Sequence, residues 1–310
     1  MTSPPNEQAE LERIVGGPLR LTLDEIVNHP CLPAARKVYL DRFLKVYDGN
    51  PFLVRLLIES GRFFVFQLAA VLEAAEDPAR RETWFTTSRL KQEIALFGFA
   101  SDRQVDHLVR RLCAVGFLEH RQSPADRRVR RLATTAKLRA HFGAWLAAHY
   151  APLATLYPQH DYGPVFDQDP AFHALHCRTG QPFNPAAARL MASLPDIMLF
   201  FSRAAGSLVM SALLQAAMES DEREAGVPYA DAADRFGVSR THVRGLMEAA
   251  QAAGLVRLVG RGGRRVEILP RFWASHDRGM AVGMYLHDAV NLLAMRAWKA
   301  RAAGERTGAA

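Results

Sequence analysis

The fold is decided by residues 105–137, "VDHLVRRLCAVGFLEHRQSPADRRVRRLATTAK". Val105, Leu108 and Leu112 recur at the spacing of one apolar helix face. Gly116 follows where a helix commonly ends in a left-handed residue. Two short alternating runs come next, separated by a cluster of arginines. The stretch therefore predicts an amphipathic helix followed by a two-stranded hairpin with a basic tip.

The preceding segment, "SRLKQEIALFGFAS" at 88–101, predicts a short helix and a tight turn. Ser101 is a good N-cap for the helix that follows, because its hydroxyl can accept from the first turn. A short helix, a turn, a second helix and a basic hairpin form the outline of a winged helix-turn-helix. In such a unit the second helix enters the major groove and the hairpin contacts phosphates.

The same pattern recurs about 138 residues further along the chain. The second copy keeps the N-cap, the apolar positions and the terminal glycine, at Ser239, Val243, Leu246, Ala250 and Gly254. Asn50-Pro51 and Asn184-Pro185 each predict a helix start, with Asn as N-cap and Pro in the first turn. The hairpin sequences "RRVRRL" (127–132) and "RRVEIL" (264–269) align at an offset of 137. The chain therefore carries an internal duplication.

The predicted fold class is mainly α, with tandem winged helix-turn-helix units, long flanking helices and an internal pseudo-duplication. Prolines crowd between about 151 and 185, which places the main boundary there. The predicted organisation follows in chain order: an N-terminal helical extension (1–49), a first winged-helix unit (50–150), a Pro-rich connector (151–183), a second winged-helix unit (184–300) and a disordered tail (301–310).

The first copy resembles the recognition helix and wing of the MarR family of transcriptional regulators. The resemblance covers about 35 residues and rests on Leu112, Gly116, Phe117, Leu118, Asp126, Arg128 and Thr135. It implies that Arg128 contacts DNA and that Asp126 holds the shape of the wing. Thr134 and Leu138 depart from the family pattern. The second wing, "VGRGGRRVEI", is shorter and lacks the aspartate, so the second copy is only loosely MarR-like.

MarR-like proteins are usually homodimers with one winged helix per chain. Two units in one chain suggest an intramolecular pseudo-dimer, and a homodimer built on it is left open. Because Arg110 of the first copy corresponds to Glu248 of the second, we expect the two units to read different half-sites. The preferred DNA site should therefore be asymmetric or an imperfect palindrome.

Candidate DNA-binding residues lie on the outward faces of the two second helices and on the two wings. In the first copy they are Arg103, Gln104, His107 and Arg110 on the helix and Arg121, Arg127, Arg128, Arg130 and Arg131 on the wing. In the second copy they are Arg240, Thr241, His242 and Arg244 on the helix and Arg257, Arg261, Arg264 and Arg265 on the wing. Arginine can bind guanine with two hydrogen bonds, and glutamine can bind adenine in the same way. Alternate wing residues point to opposite faces of a hairpin, so not all of these arginines can reach one DNA backbone.

The composition is compatible with this prediction. The 310 residues contain 39 Lys and Arg against 32 Asp and Glu, a net charge of +7, and a basic balance suits nucleic acid. Three widely spaced cysteines indicate a reducing compartment, so we expect a cytoplasmic protein. Long apolar stretches such as "PDIMLFFSRAAGSLVMSALLQ" are interrupted by polar residues and predict buried core helices rather than membrane spans.

Other sites are weaker in the sequence. His173, His176 and Cys177 share one helical face and could bind Zn²⁺ or simply pack, and no second ligand cluster supports a metal. Cys113 could be a redox-sensing thiol or an inert helical cysteine. No enzymatic motif is found, so neither an enzyme nor a cofactor is predicted. The partners expected are double-stranded DNA and a small-molecule effector, whose pocket the core aromatics could wall: Phe63, Phe64, Phe66, Phe200 and Phe201.

The sequence thus predicts a sequence-specific, double-stranded DNA-binding transcriptional regulator. Three rival classes stay open at this stage. One is a winged-helix protein-protein interaction adaptor, which would lack salt-sensitive duplex binding. Another is a tandem winged-helix replication initiator, which would bind repeated sites at an origin. The third is an enzyme, which would need a pocket with convergent titratable residues.

Overall fold

The structure is a computed structural model. It describes residues 5–49, 53–54, 62–98, 100–122, 129–220, 224–226, 229–260 and 265–307, and the chain they form is mainly helical. The N-terminal part forms α1 (Pro5–Val15), α2 (Leu23–Val27) and α3 (Leu32–Tyr47). The predicted helix start at Asn50-Pro51 lies outside the described residues.

The first copy of the repeat, hereafter unit one (62–156), contains four helices and a hairpin. Its helices are α4 (Arg62–Ala74), α5 (Thr87–Phe97), α6 (Asp102–Ala114) and α7 (Ala136–Leu156). Between α6 and α7, β1 (Leu118–Gln122) pairs with β2 (Arg130–Thr134) in an antiparallel sheet. A short 3₁₀ turn, Arg81–Thr83, precedes α5.

The segment predicted as a Pro-rich connector is largely helical. After α8 (Gly163–Phe166) comes α9 (Pro170–Gly180), which packs on both α4 and the last helix of the chain. A 3₁₀ turn, Gln181–Phe183, then runs directly into α10 (Asn184–Ala192). This region is therefore part of the hydrophobic interior. Pro164, Pro170 and Pro182 sit in the first turns of helices or 3₁₀ turns, where the missing N–H costs nothing, whereas Pro152 lies inside α7.

The predicted N-cap at Asn184 is not formed. Asn184 has helical backbone angles (φ −54°, ψ −43°), and the residue before α10 is Phe183. The Asn184 amide instead donates to the carboxylate of buried Glu93 at 3.0 Å. The polar side chain is thus used for a long-range contact with α5, and the preceding 3₁₀ turn supplies the helix start.

The long apolar stretch after residue 194 forms two helices, α11 (Pro195–Phe201) and α12 (Gly206–Glu219), joined at an angle of 113°. The break is built by Ala205, whose φ of 51° is left-handed, and by the close approach of Gly206 to the Phe200 carbonyl. Across the described ranges, no single helix is long and apolar enough to cross a membrane. The helices α11 and α12 have that length and apolar composition only when they are counted together across the bend.

The second copy, hereafter unit two (206–307), begins with α12. It continues through β3 (Glu224–Gly226), α13 (Tyr229–Phe236), α14 (Arg240–Ala252), β4 (Val256–Val259) and β5 (Arg265–Ile268), and it ends with α15 (Pro270–Thr307). The strands form one antiparallel sheet in the order β3-β5-β4. The helix α15 has 38 residues, about 57 Å at 1.5 Å per residue. It continues to Thr307, where the sequence predicts a disordered tail from residue 301.

The two units share one hydrophobic interior with the N-terminal helices. The helix α3 packs mainly on α7 of unit one and also on α12 of unit two, while α15 packs on α7, α9 and α2. Ion pairs reinforce the contact with unit two. Arg36 binds Asp277 with both donors at 2.6 Å, and Arg20 binds buried Asp288 at 2.6 Å. The long helices α7 and α15, which follow the two hairpins, therefore pack together.

Candidate nucleic-acid interface

The helix α6 begins at a complete capping box. The Ser101 hydroxyl accepts from the Gln104 N–H, and the Gln104 side-chain oxygen accepts from the Ser101 N–H at 2.7 Å. Two of the unpaired donors at the helix start are satisfied in this way. Gln104 is exposed, as predicted, but its side-chain oxygen serves the helix start.

The turn between α5 and α6 holds the two helices at a fixed angle. Gly98 ends α5 in the left-handed region (φ 67°), a conformation that costs a glycine nothing. Lys91 of α5 donates to the Asp106 carboxylate of α6 at 2.9 Å. This ion pair partly neutralises the Asp106 carboxylate, which would otherwise repel a phosphate. This role of Lys91 has no signal in the local sequence.

One face of α6 is buried and the opposite face is open to solvent. Val105, Leu108, Val109 and Leu112 are buried in the core. Arg103, His107 and Arg110 are exposed, as the spacing predicts. No carboxylate in the described part of the chain pairs with Arg103, and Arg110 bonds only to the backbone oxygen of Asp106 at 3.3 Å. The outward face therefore presents two guanidinium groups whose charge is not paired.

The hairpin of unit one divides its arginines between the two faces. Arg130 and Arg121 are exposed, and Arg121 pairs with Glu119 of the same strand at 2.7 Å. Arg131 points inward, where it binds the Glu76 carboxylate and stacks 5.4 Å above the centre of the Trp84 ring. Its assignment as a wing residue that contacts DNA is therefore wrong. Asp126, Arg127 and Arg128 lie outside the described residues.

Unit two repeats the helix, but one of the exposed arginines on it is paired with a glutamate. Ser239 caps α14, and Val243, Leu246 and Ala250 are buried as predicted. Arg240 and Thr241 are exposed, and within the described ranges no carboxylate pairs with Arg240. Arg244, also exposed, is paired with Glu248 one helical turn away at 2.8 Å.

His242 departs from the predicted outward position. Its Nε2 lies 2.7 Å from the carbonyl oxygen of Ala204, in the break between α11 and α12. The ring is half-buried. The side chain therefore joins α14 to the bend, and this contact occupies one of its two ring nitrogens.

The register of the hairpins corrects their alignment. Leu118 pairs with Thr134 in unit one, and Val256 pairs with Ile268 in unit two. Starting from the shared glycine before each first strand, Thr134 therefore corresponds to Ile268 at an offset of 134, not 137. The wing of unit two is four residues shorter than that of unit one.

With this register, Arg265 corresponds to the inward Arg131 rather than to Arg128. Arg265 is itself exposed, at the start of β5, the central strand of the three-stranded sheet. Arg257 pairs with Glu267 of the neighbouring strand at 2.7 Å. Arg261 and Arg264 lie outside the described residues.

The strand β3, which the sequence did not predict, gives unit two its third strand. It pairs with β5 in the register Ala225 to Val266. Unit one has one hydrogen bond at the corresponding place, from the Leu132 N–H to the Phe85 oxygen at 2.7 Å. The two units therefore share an element order, but their sheets differ in size.

The candidate metal and redox residues have other surroundings. His176 bonds to the Tyr150 hydroxyl at 2.7 Å, and His173 lies 3.3 Å from the Val165 oxygen. Burial raises the pKa of the Cys177 thiol to about 12. Among the described residues, no group of three or more His, Cys, Asp and Glu side chains is arranged to hold a metal ion. Burial also raises the pKa of Cys113, which keeps it a thiol rather than the reactive thiolate that nearby arginines would favour.

Comparison with known proteins finds no matching family model, no matching curated protein and no matching solved structure. The MarR resemblance therefore stays a prediction from the residues of the first copy.

Proposed function

We propose that this protein is a sequence-specific, double-stranded DNA-binding transcriptional regulator with two non-identical winged helix-turn-helix units. One observation carries the proposal. The solvent face of α6 presents Arg103, His107 and Arg110 beside a hairpin with exposed Arg130, and no carboxylate in the described chain pairs with Arg103 or Arg130. Exposed, unpaired guanidinium groups on a helix and an adjacent hairpin suit the major groove and its flanking phosphates.

The repeated element order supports the architecture. In each unit a short helix, a left-handed glycine, a capped second helix and an antiparallel hairpin follow one another, at 87–134 and 229–268. The apolar side of each second helix is buried, which leaves the polar side for a partner. The winged-helix assignment and the MarR likeness belong to this proposal.

The two helices would have different tasks on the DNA. In unit one, Arg103 and Arg110 would donate to guanine edges and His107 to a base or a phosphate. In unit two, Glu248 occupies the position of Arg110 and ties up Arg244. A glutamate can accept from the amino group of cytosine but repels phosphate. The site bound should therefore contain one strongly specified half and one weaker half.

The test is selection of bound duplexes from a random pool, followed by affinity measurements over a range of salt concentrations. Arg103→Ala/Arg110→Ala should change the base preference in one half-site. Arg121→Ala/Arg130→Ala should weaken all sites alike and reduce the slope of log K against log salt by up to about 2, because each lost phosphate contact removes about one released counterion. Failure of the wild type to select any duplex would overturn the proposal.

The adaptor reading keeps one observation in its favour. Two exposed arginines of unit two are paired with carboxylates, Arg244 with Glu248 and Arg257 with Glu267. A neutralised surface is less suited to phosphate and better suited to a protein. An unchanged selected site after Arg240→Ala/Arg244→Ala would indicate that unit two binds something other than DNA.

A further inference from the structure

A pocket of about 250 Å³ lies between the two units and residues 151–183, the segment that the sequence predicted as a connector. Its walls come from α3, from α4, α5 and α7 of unit one, from α9, α10 and α11, and from α12 and α15 of unit two. Protein interiors are packed to crystal-like density and contain few voids larger than a water molecule. A pocket of this size between packed helices is therefore a feature that needs an explanation.

The walls of the pocket are apolar and aromatic. Trp145, Phe142, Phe183 and Tyr39 line it together with leucines, methionines and valines. None of the described residues that line it is Lys, Arg, Asp or Glu. Of the aromatic residues suggested by the sequence as pocket walls, Phe64 and Phe201 line it.

Four histidines lie in the same wall, and the sequence analysis missed three of them. His149 lies 5.7 Å from His287, and His287 lies 6.4 Å from His176, measured between ring centres, while Tyr39 joins His149 to His276. Burial lowers the pKa of His149 to about 3 and that of His287 to about 4. The imidazoles are therefore neutral at physiological pH and act as aromatic surface.

Two polar atoms at the wall lack a hydrogen-bond partner. The amide nitrogen of Gln67 and the Nδ1 atom of His276 are both buried, and neither has a partner within hydrogen-bond distance in the described residues. The nearest carboxylate oxygen to that His276 atom is 3.7 Å away, on Asp277. A buried donor without a partner is unfavourable, because it has lost its hydrogen bonds to water. A ligand with an acceptor would recover this cost at Gln67.

We propose that this pocket binds an uncharged aromatic small molecule of about two fused rings that carries a hydrogen-bond acceptor. The rings would stack on the Trp145 and histidine wall, and Gln67 would donate to the acceptor. Size supports this class, because an apolar cavity of about 150 Å³ already binds benzene. A carboxylate would be disfavoured, since no cation lies in the wall to offset its desolvation. The inference concerns ligand binding alone and does not depend on DNA binding.

Gly283 of α15 offers a way to fill the pocket without disturbing its walls. It lines the pocket, and a Cβ atom added there would meet nothing within 4 Å. Gly304 of the same helix is exposed, and a Cβ atom there also meets nothing within 4 Å. Gly283→Leu and Gly304→Leu are therefore a matched pair that changes the pocket in one case only.

The experiment is isothermal titration calorimetry at pH 7.5 with quinoline and with 2-naphthoate as probes, in the absence of DNA. Quinoline should bind the wild type, and 2-naphthoate should bind at least about tenfold more weakly. Gly283→Leu should weaken quinoline binding by about tenfold or more, while Gly304→Leu leaves it unchanged. Gln67→Met should weaken quinoline but not naphthalene, which has no acceptor.

Circular dichroism checks that each variant is folded, and Ala187→Leu fills the pocket from α10 if Gly283→Leu does not fold. Absence of quinoline binding to the wild type would overturn the proposal. Equal binding to the wild type and to a folded pocket-filled variant would also overturn it. Binding of 2-naphthoate as tight as that of quinoline would contradict the neutral chemistry of the wall.

Discussion

Unit one and unit two share an order of elements but present different charges. On α6 and its hairpin, Arg103, Arg110 and Arg130 face solvent with no carboxylate partner in the described chain. On α14 and its hairpin, Arg244 and Arg257 are each held by a glutamate. A paired arginine must break its ion pair before it can bind a phosphate or a base. Under the proposed function, unit one should therefore supply most of the affinity for DNA.

The apolar faces of the two units, in contrast, are alike. Matching apolar positions of the two helices are buried in the same way: Val105 and Val243, and Leu108 and Leu246. The glycines that end the two helices also share a left-handed backbone conformation. The units are therefore equivalent as folded structures and unequal as binding surfaces.

The strongest test of this inequality is a pair of double variants. Arg103→Ala/Arg110→Ala should cost about 4 kcal/mol of DNA binding, roughly a thousandfold, because each well-placed arginine contributes about 1–3 kcal/mol. Arg240→Ala/Arg244→Ala should cost about tenfold, since Arg244 is already paired. Fluorescence anisotropy with the selected duplex measures both. Equal losses would show that the charge difference between the units is irrelevant to binding.

Acid should lower the stability of both units to a similar extent. Burial lowers the pKa of His149 in α7 and of His287 in α15, to about 3 and about 4. The unfolded chain protonates these rings below about pH 6.5 while the folded chain does not, so stability is lost as pH falls from there towards 4. Between pH 7 and pH 5 the free energy of unfolding should drop by about 3 kcal/mol.

Urea denaturation at several pH values measures this effect. His149→Phe and His287→Phe should each remove a similar share of the pH dependence. A profile that is flat between pH 7 and pH 5 would show that these rings are not buried in their neutral form.

Unit two contains a backbone feature that has no counterpart described in unit one. A side chain at Gly206 would collide with the carbonyl oxygen of Phe200, at the bend that begins the unit. Gly206→Ala should therefore reduce the free energy of unfolding by about 2 kcal/mol, in the range of overpacking substitutions. Gly283→Ala is the control, because its added methyl group meets open space and should stabilise the helix by about 0.5–1 kcal/mol.

The smallest expected effect separates the two corresponding hairpin arginines. Arg131→Met should cost about 1.5 kcal/mol of stability, because it leaves the Glu76 carboxylate without its charged donor. Arg265→Met, at the same place in unit two but exposed, should cost about 0.5 kcal/mol or less. Thermal denaturation distinguishes the two. A larger loss for Arg265→Met would contradict the register derived from the strand pairing.

Local signals predicted the parts of the fold that local chemistry controls. Ser101 and Ser239 cap helices as expected, and Gly116 and Gly254 have the left-handed φ that a helix end needs. The amphipathic face of α6 followed from spacing alone. These features depend on a few neighbouring residues, and their physics can be read in the sequence.

Other features depended on residues distant in the chain. Asn184 was predicted to be an N-cap, but its amide donates instead to Glu93, 91 positions earlier in the chain. Arg131 was predicted to lie on the basic wing like its neighbours, but it points inward and pairs with Glu76. The bend at Ala205 and the strand β3 carry no local signature, and the hairpin offset required the pairing register. The sequence suggested Phe64 and Phe201 as pocket walls but not the rest of the lining, because nine helices contribute to it.

The helix α3 stands between the two units and contacts both. Because one continuous interior includes α3, unit one and unit two, heat should dismantle them together in a single cooperative melting transition. A fragment cut between the units would expose the apolar flank that its missing half normally covers. The chain is therefore thermodynamically indivisible, although its sequence reads as two repeats.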